Sequence, residues 1–157
     1  MRIIGIDPGY GRCGIAILEK VDGKEVLIFS KCVETSASLS FPERVGEVIV
    51  ECDKAIKEHS PAAMAIEKLF FAKNQKTAMQ VAEVRGALIA LASLRGLSVA
   101  EYTPMQVKSA AAGYGGADKK QVVKMLHALV KIDKEIQHDD EYDAIAVGVT
   151  HLAHVRM

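Results

Sequence analysis

The sequence predicts an α/β fold organised on a mixed sheet, and three stretches carry that prediction. Residues 1–9 form an apolar run that ends in a carboxylate, Asp7, and turns at once at Pro8-Gly9. The β-branched Ile3, Ile4 and Ile6 suit a central strand, and the turn holds Asp7 at its tip. Residues 14–18 and 26–33 are apolar stretches joined by the turn-forming Asp22-Gly23, which reads as an antiparallel meander continuing from the first strand. Residues 62–67 repeat the opening plan, a short apolar strand finishing in Glu67. Laid parallel beside the first strand, it would set Asp7 and Glu67 side by side at the carboxyl ends, where open α/β sheets place their sites.

Between the meander and that strand, Ser40 and Glu43 flank Phe41-Pro42 at capping-box spacing and start a helix. Val45, Val48, Ile49, Cys52 and Ile56 recur on one face and Glu47, Glu51, Lys54 and Glu58 on the other, so this helix lies on the sheet until Pro61 ends it. Residues 77–94 form a long helix whose second half, from Ala87, is apolar nearly all round. It needs cover on more than one side, either within the domain or from another subunit. Gly96 stops it, and residues 97–102 form a further short strand. Thr103, Pro104 and Gln106 make another capped start, for a short helix running into the flexible, glycine-rich residues 113–117. Asp118 opens a helix carrying Val122, Val123, Leu126, Leu129 and Val130, and the last helix starts among Asp139, Asp140, Glu141 and Asp143 and continues to His154.

The totals bound the class. A length of 157 residues fits one domain, residues 1–157, large enough to bury roughly two-thirds of its unfolded surface. No uninterrupted apolar run reaches the ~18 residues of a membrane span, and the first residues have no signal-peptide pattern, so a soluble, cytoplasmic protein without a membrane partner is expected. Cys13, Cys32 and Cys52, an odd number within apolar runs, read as structural thiols. A net charge of zero and a pI near 7.0 exclude a strongly basic protein that coats nucleic acid, while leaving room for a local basic surface.

The chemistry lies in the acids. Asp140 and Asp143, three apart on a first helical turn, share a face beside an N-terminus that favours negative charge. Asp140 is also placed to be an N-cap. Asp143 leads straight into an apolar run and, partly buried, needs a cation or donor nearby. Together Asp7, Glu67, Asp140 and Asp143 supply hard oxygen ligands suited to Mg²⁺, with Mn²⁺ as substitute. Two such ions suit phosphodiester hydrolysis, one activating water and the other stabilising the leaving oxygen. The histidines do not look like main ligands: His138 adjoins the acids and either assists or is a solvated turn residue, and His59 and His127 sit in helical surface contexts without a recognisable partner.

Residues 68–76 set Phe70 and Phe71 among Lys68, Lys73 and Lys76, a mixture suited to a nucleic-acid surface. Lysines contact phosphates and an exposed ring stacks on an unpaired base. Phe70 is the better stacking candidate, Phe71 being as readily a core residue. Lys108 before the glycine-rich loop and Lys119, Lys120 and Lys124 after it make either a DNA-contact hairpin or a solvated face; the loop lacks the lysine-serine ending of a P-loop.

In combination and order, five groups of residues carry a resemblance: Ile4-Gly5-Ile6-Asp7-Pro8-Gly9, Ala65-Ile66-Glu67 with Phe70, Ala72-Lys73-Asn74, Gln106-Val107-Lys108, and Asp140 and Asp143 with Ala144. Over nearly its whole length the chain resembles the RuvC family of crossover junction endodeoxyribonucleases, which cut four-way (Holliday) DNA junctions. The resemblance implies an RNase H-like fold, a five-stranded mixed sheet with helices on both faces. It implies a homodimer formed through the helix over residues 75–95. Asp7, Glu67, Asp140 and Asp143 fall on the family's metal-binding catalytic positions, Phe70 on its base-stacking aromatic, and Lys108 and Lys119 on basic positions near the cut phosphate. A junction-binding protein and a branch-migration motor of the same recombination pathway are the implied partners.

Three rivals define the tests. A nuclease of the same broad fold acting on RNA or RNA–DNA hybrids is nearest. A catalytically silent junction-binding scaffold is opposed by the presence of all four acids. An actin-like nucleotide-binding protein shares the look of the first loop, but it needs two related domains to clasp a nucleotide.

Overall fold

In a computed structural model of the chain, which describes residues 1–70 and 75–155, the elements follow in the order β1 (Arg2–Asp7), β2 (Arg12–Val21), β3 (Lys24–Glu34), α1 (Phe41–His59), β4 (Ala63–Glu67), α2 (Gln75–Leu94), β5 (Ser98–Tyr102), α3 (Pro104–Ala112), α4 (Lys119–Leu129), β6 (Val130–Lys131) and α5 (Asp139–His154). The strands form one mixed sheet in the order β5-β4-β1-β2-β3-β6. β1, β2 and β3 are the expected antiparallel meander. Its two-residue turn holds Asp22 and Gly23 at φ 50° and 79°, the left-handed backbone that a tight hairpin between twisted strands requires.

The sheet has six strands where five are expected. The sixth, β6, pairs parallel to β3 only through Glu25 with Val130 and Val26 with Lys131. Val130 continues the apolar spacing of α4 and reads as part of that helix, yet it leaves it. A two-residue strand is too short to show an alternation of its own.

Side chains alternate across each strand, and both faces of β1 are covered. Ile4 and Ile6 join a core with Val48 and Cys52 of α1 and Val84 and Leu88 of α2. Ile3 joins the opposite core with Val107 of α3, Leu126 of α4 and Ile145 and Val149 of α5. By the same alternation Asp7 follows Ile3 and Gly5, and Glu67 follows Ala63 and Ala65, so both acids emerge on the side of α5.

α5 lies against the sheet at backbone distance because glycines line the contact. A Cβ on Gly14 would fall 2.7 Å from the Asp140 carbonyl carbon, and one on Gly5 2.9 Å from the Gly148 nitrogen. No side chain fits between, which is the reason glycine stands inside these strands. The capping boxes are present at Ser40 with Glu43, Thr103 with Gln106, and Asp118 with Gln121.

α2 buries only Ala78, Val84, Leu88 and Ala92. Met79 and Leu94 are 61% and 86% exposed, with exposed Ala82, Gly86 and Ala90 between them. Among the described residues it is the one helix long and apolar enough, by length and composition, to cross a membrane. Its buried stripe seats it on the sheet, and Arg85 Nε donates to the Glu67 carbonyl at 2.9 Å.

Candidate active site

β1 and β4 run parallel with Ile6 opposite Ile66, so Asp7 and Glu67 leave the sheet as neighbours. The first turn of α5 stands over them, held there by the glycine contact. A cleft of about 400 Å³ results, lined by Asp7, Glu67, Asp139 and Asp143 together with Lys108 and Lys119.

The electrostatics of this cleft are dominated by buried, mutually repelling carboxylates. Burial, then the charges of Asp143, Glu67 and Asp140, push the Asp7 carboxyl well above its usual range. Burial and Asp143 raise Glu67, against the opposing pull of Lys108 and Lys119. Burial also raises Asp143, with Lys119 opposing and Asp140 and Asp139 adding to the shift. Lys119 is itself held above its ordinary value, chiefly by Asp143, from which its Nζ is 3.7 Å; Asp139 is 3.5 Å away. Two lysines, Lys108 and Lys119, do not balance Asp7, Glu67, Asp139 and Asp143, which line the cleft with them. The convergent donors are all carboxylate oxygens, so the set fits a hard divalent cation.

Asp140 occupies a different surface of the same helical turn. It does not line the cleft, although its charge acts on Asp7 and Asp143. Its Oδ2 lies 3.6 Å from Arg12 Nε and 3.9 Å from Cys32 Sγ. It is not the N-cap either: that position is His138, whose side chain makes no capping bond and instead places Nε2 2.8 Å from Glu34 Oε1.

The sequence argument missed the anchor of this turn. Glu141 is buried, its Oε1 accepting from Ser30 Oγ at 2.8 Å and from Lys134 Nζ at 2.9 Å, while Lys134 also donates to the Ser30 carbonyl at 2.9 Å. An acid among acids gives no local sign that it is the buried one. Two histidines also have partners that the sequence did not reveal. His127 Nε2 and the Tyr142 hydroxyl are 2.8 Å apart, tying α4 to α5, and His59 stacks on Phe29 with ring centroids 5.1 Å apart.

Of the expected DNA-contact residues, Phe70 is 59% exposed. It lines a second groove, of about 500 Å³, with Met105, Gly115, Pro104 and Lys108, and the last two also border the acidic cleft. Lys120 is exposed and lines neither space. Lys73 and Phe71 lie outside the described residues. The 113–117 loop, expected to be flexible, is tied at both ends: Gly113 caps α3 at φ 85°, the Tyr114 hydroxyl donates to Gln121 Oε1 at 2.7 Å, and Ala117 is buried.

The model of the family described as "Crossover junction endodeoxyribonuclease RuvC" matches residues 3–151. The chain belongs to this family. A curated RuvC of Thermosipho melanesiensis is 46% identical over 148 residues, covering 94% of each chain. One from a Roseiflexus species is 43% identical, covering 96% of this chain and 89% of the relative. Among solved structures, "T. thermophilus RuvC in complex with Holliday junction substrate" superposes with a TM-score of 0.89 at 32% identity, over 97% of this chain and 93% of that one.

Proposed function

We propose that this chain is a single nuclease unit that works as a homodimer on four-way DNA junctions, making paired nicks by divalent-metal-dependent hydrolysis of phosphodiesters. The observation that carries the reading is the convergence of Asp7, Glu67 and Asp143, from two strand ends and one helix, in a cleft with more negative charge than its lysines balance. Asp7, Glu67, Asp140 and Asp143 are the residues that would hold the metal, Mg²⁺ with Mn²⁺ as substitute and two ions per site. Held by these residues, such ions would supply activation of the attacking water and stabilisation of the leaving oxygen.

The remaining work belongs to the chain. Asp7, on a strand buried on both faces, keeps the site from shifting as substrate binds. Lys119 and Lys108 border the acids and offset the repulsion between an acidic cleft and a phosphate backbone. Phe70, exposed on the adjoining groove, is placed to stack on a base unpaired at the branch. Lys120, exposed outside the cleft, and Lys73 add further phosphate contacts. The exposed face of α2, small residues between Met79 and Leu94, is covered by a second copy, which presents two sites to one junction. In the cell the enzyme acts in the cytoplasm with a junction-binding protein and a branch-migration motor of the same pathway.

The test incubates the protein and Mg²⁺ with a labelled four-way junction, a duplex and an RNA–DNA hybrid, using Asp7→Asn as control. Paired nicks in the junction alone, lost in the variant while binding persists, are expected. Cutting of the hybrid alone would overturn the substrate, and binding without cutting would leave a scaffold.

A further inference from the structure

Across the first turn of α5 from the acidic cleft, a second group of ligating atoms converges. Cys32 of β3, His138 at the cap of α5 and Asp140 each offer one atom, a sulfur, a ring nitrogen and a carboxylate oxygen, all within 4.8 Å of one another. Cys32 differs from the other two thiols, since Cys13 and Cys52 are buried in the core and Cys32 is only partly covered. Of the three cysteines read as structural, Cys32 is the one outside the buried core.

We propose that Cys32, His138 and Asp140 form a separate site for a thiophilic metal ion, Zn²⁺ by chemistry, whose occupation takes Asp140 away from the nuclease centre. The donor set decides the class: a thiolate and an imidazole select zinc over magnesium, which keeps to oxygen. Tetrahedral zinc with ordinary bond lengths sets its ligand atoms ~3.4–3.7 Å apart. Cys32 Sγ and Asp140 Oδ2 are already 3.9 Å apart, and since all three atoms lie within 4.8 Å no spacing has to close by more than about 1 Å. Glu34, 2.8 Å from His138 Nε2, supplies the carboxylate that orients a zinc-bound imidazole in many sites. A water completes the fourth position, and the Cys32 proton leaves to solvent on binding.

The competing contact is weak. Arg12 Nε lies 3.6 Å from Asp140 Oδ2, on a side chain that is 55% exposed, and surface pairs of this kind contribute little. The zinc site adjoins the acidic cleft on one helical turn, and Asp140, which reaches the cleft only through its charge on Asp7 and Asp143, is the ligand that the proposed nuclease centre would draw on, so an ion held on the sulfur side competes for it. The inhibitory consequence rests on the assignment of Asp140 to that centre; the binding site does not.

Cobalt(II) titrated into the metal-free protein reads the site directly. The expected result is a thiolate-to-cobalt charge-transfer band saturating at a single equivalent, displaced by zinc and absent in Cys32→Ala. No band, or an equal band in Cys32→Ala, would overturn the site. If Cys32→Ala does not fold by circular dichroism, Cys32→Ser carries the same prediction. In Mg²⁺-supported junction cleavage, zinc should inhibit the wild type. Cys32→Ala should keep its basal rate and need more than about tenfold more zinc, since losing a direct ligand exceeds the ~10–100-fold cost of losing an outer one. Equal zinc sensitivity would overturn the inhibitory role. Absence of cleavage without zinc would count against the nuclease reading, and the cobalt band would still decide the site.

Discussion

Replacing Gly14 by alanine tests whether the approach of α5 to the sheet builds the active site. Gly14 pairs with Asp7 across β1 and β2 and lies beneath the first turn of α5. The added methyl would stand 2.7 Å from the Asp140 carbonyl carbon and 3.1 Å from the Ala144 Cβ. Unstrained carbon contacts lie at ~3.5–4.0 Å and the Asp140 carbonyl oxygen stands closer to the methyl than its carbon does, so one partner must retreat by at least about 1 Å. β2 is paired on both sides, with β1 and β3, which leaves the start of α5 to move and to carry Asp140 and Asp143 with it. A misplacement of about 1 Å costs roughly 10²-fold in rate, or about 2.7 kcal/mol of barrier. Overpacking removes a further ~1–3 kcal/mol of stability, a Tm decrease of about 2–4 °C for each kcal/mol in a chain of this size. Single-turnover cleavage of a four-way junction and thermal melting measure the two effects. Gly46→Ala is the control: it lies in α1, where no described residue beyond its own helix turn comes within 4 Å of an added Cβ, and it should stabilise by about 0.5–1 kcal/mol. A Gly14→Ala protein that cuts at the wild-type rate with an unchanged Tm would refute the account.

The raised carboxyls give a pH prediction. Asp7, Glu67 and Asp143 hold protons in the folded state that the unfolded chain releases above about pH 4, so metal-free stability falls as pH rises through the raised folded values. Asp7→Asn should then be more stable than the wild type at neutral pH, with a flatter dependence of Tm on pH; an equal or steeper dependence contradicts the assignment. Phe70→Ala, at a site 59% exposed, should leave Tm unchanged and weaken junction binding by ~1–3 kcal/mol in a binding titration. Gly86→Ala adds a methyl to the exposed face of α2, where no described residue beyond its own helix turn lies within 4 Å. It should gain up to ~1 kcal/mol of helix propensity yet shift sedimentation equilibrium toward monomer, whereas a wild type that is monomeric throughout would remove the dimer. Glu141→Ala should cost ~1–3 kcal/mol by chemical denaturation, because it leaves Ser30 and Lys134 without their shared acceptor, and should slow cleavage by freeing the turn that carries Asp140 and Asp143.

What was legible in the sequence is what repeats or closes within a few residues. A capping box is complete in four positions, so Ser40, Thr103 and Asp118 announced three helix starts. β1 was legible as a central strand because its run is apolar without a break, as fits Ile4 and Ile6 facing one core and Ile3 the other, and the matched endings of β1 and β4 placed Asp7 beside Glu67. β6 was not legible, since two residues have no period. Neither was the Ser30–Glu141–Lys134 anchor, which depends on β3 passing under the start of α5, a contact between residues 111 apart in sequence.

Asp140 and Asp143 show where local periodicity reaches its limit. Three residues along an α-helix advance the side chain by about 300°, which leaves the two carboxylates about 60° apart rather than superposed. Spacing alone therefore predicts a pair near one another and does not say whether both enter one cavity. The seat of α5 decides that. With its first turn pressed onto Gly14, Asp143 enters the cleft beside Lys119, and Asp140 faces the ridge formed by Arg12, Cys32 and His138. The same glycine contact that brings the acids to Asp7 thus splits them between two environments, one lined by carboxylate oxygens and one holding a sulfur and a nitrogen. Asp140 is the acid whose partner is a matter of competition: its charge acts on Asp7 and Asp143 while its carboxylate rests against Arg12 and Cys32.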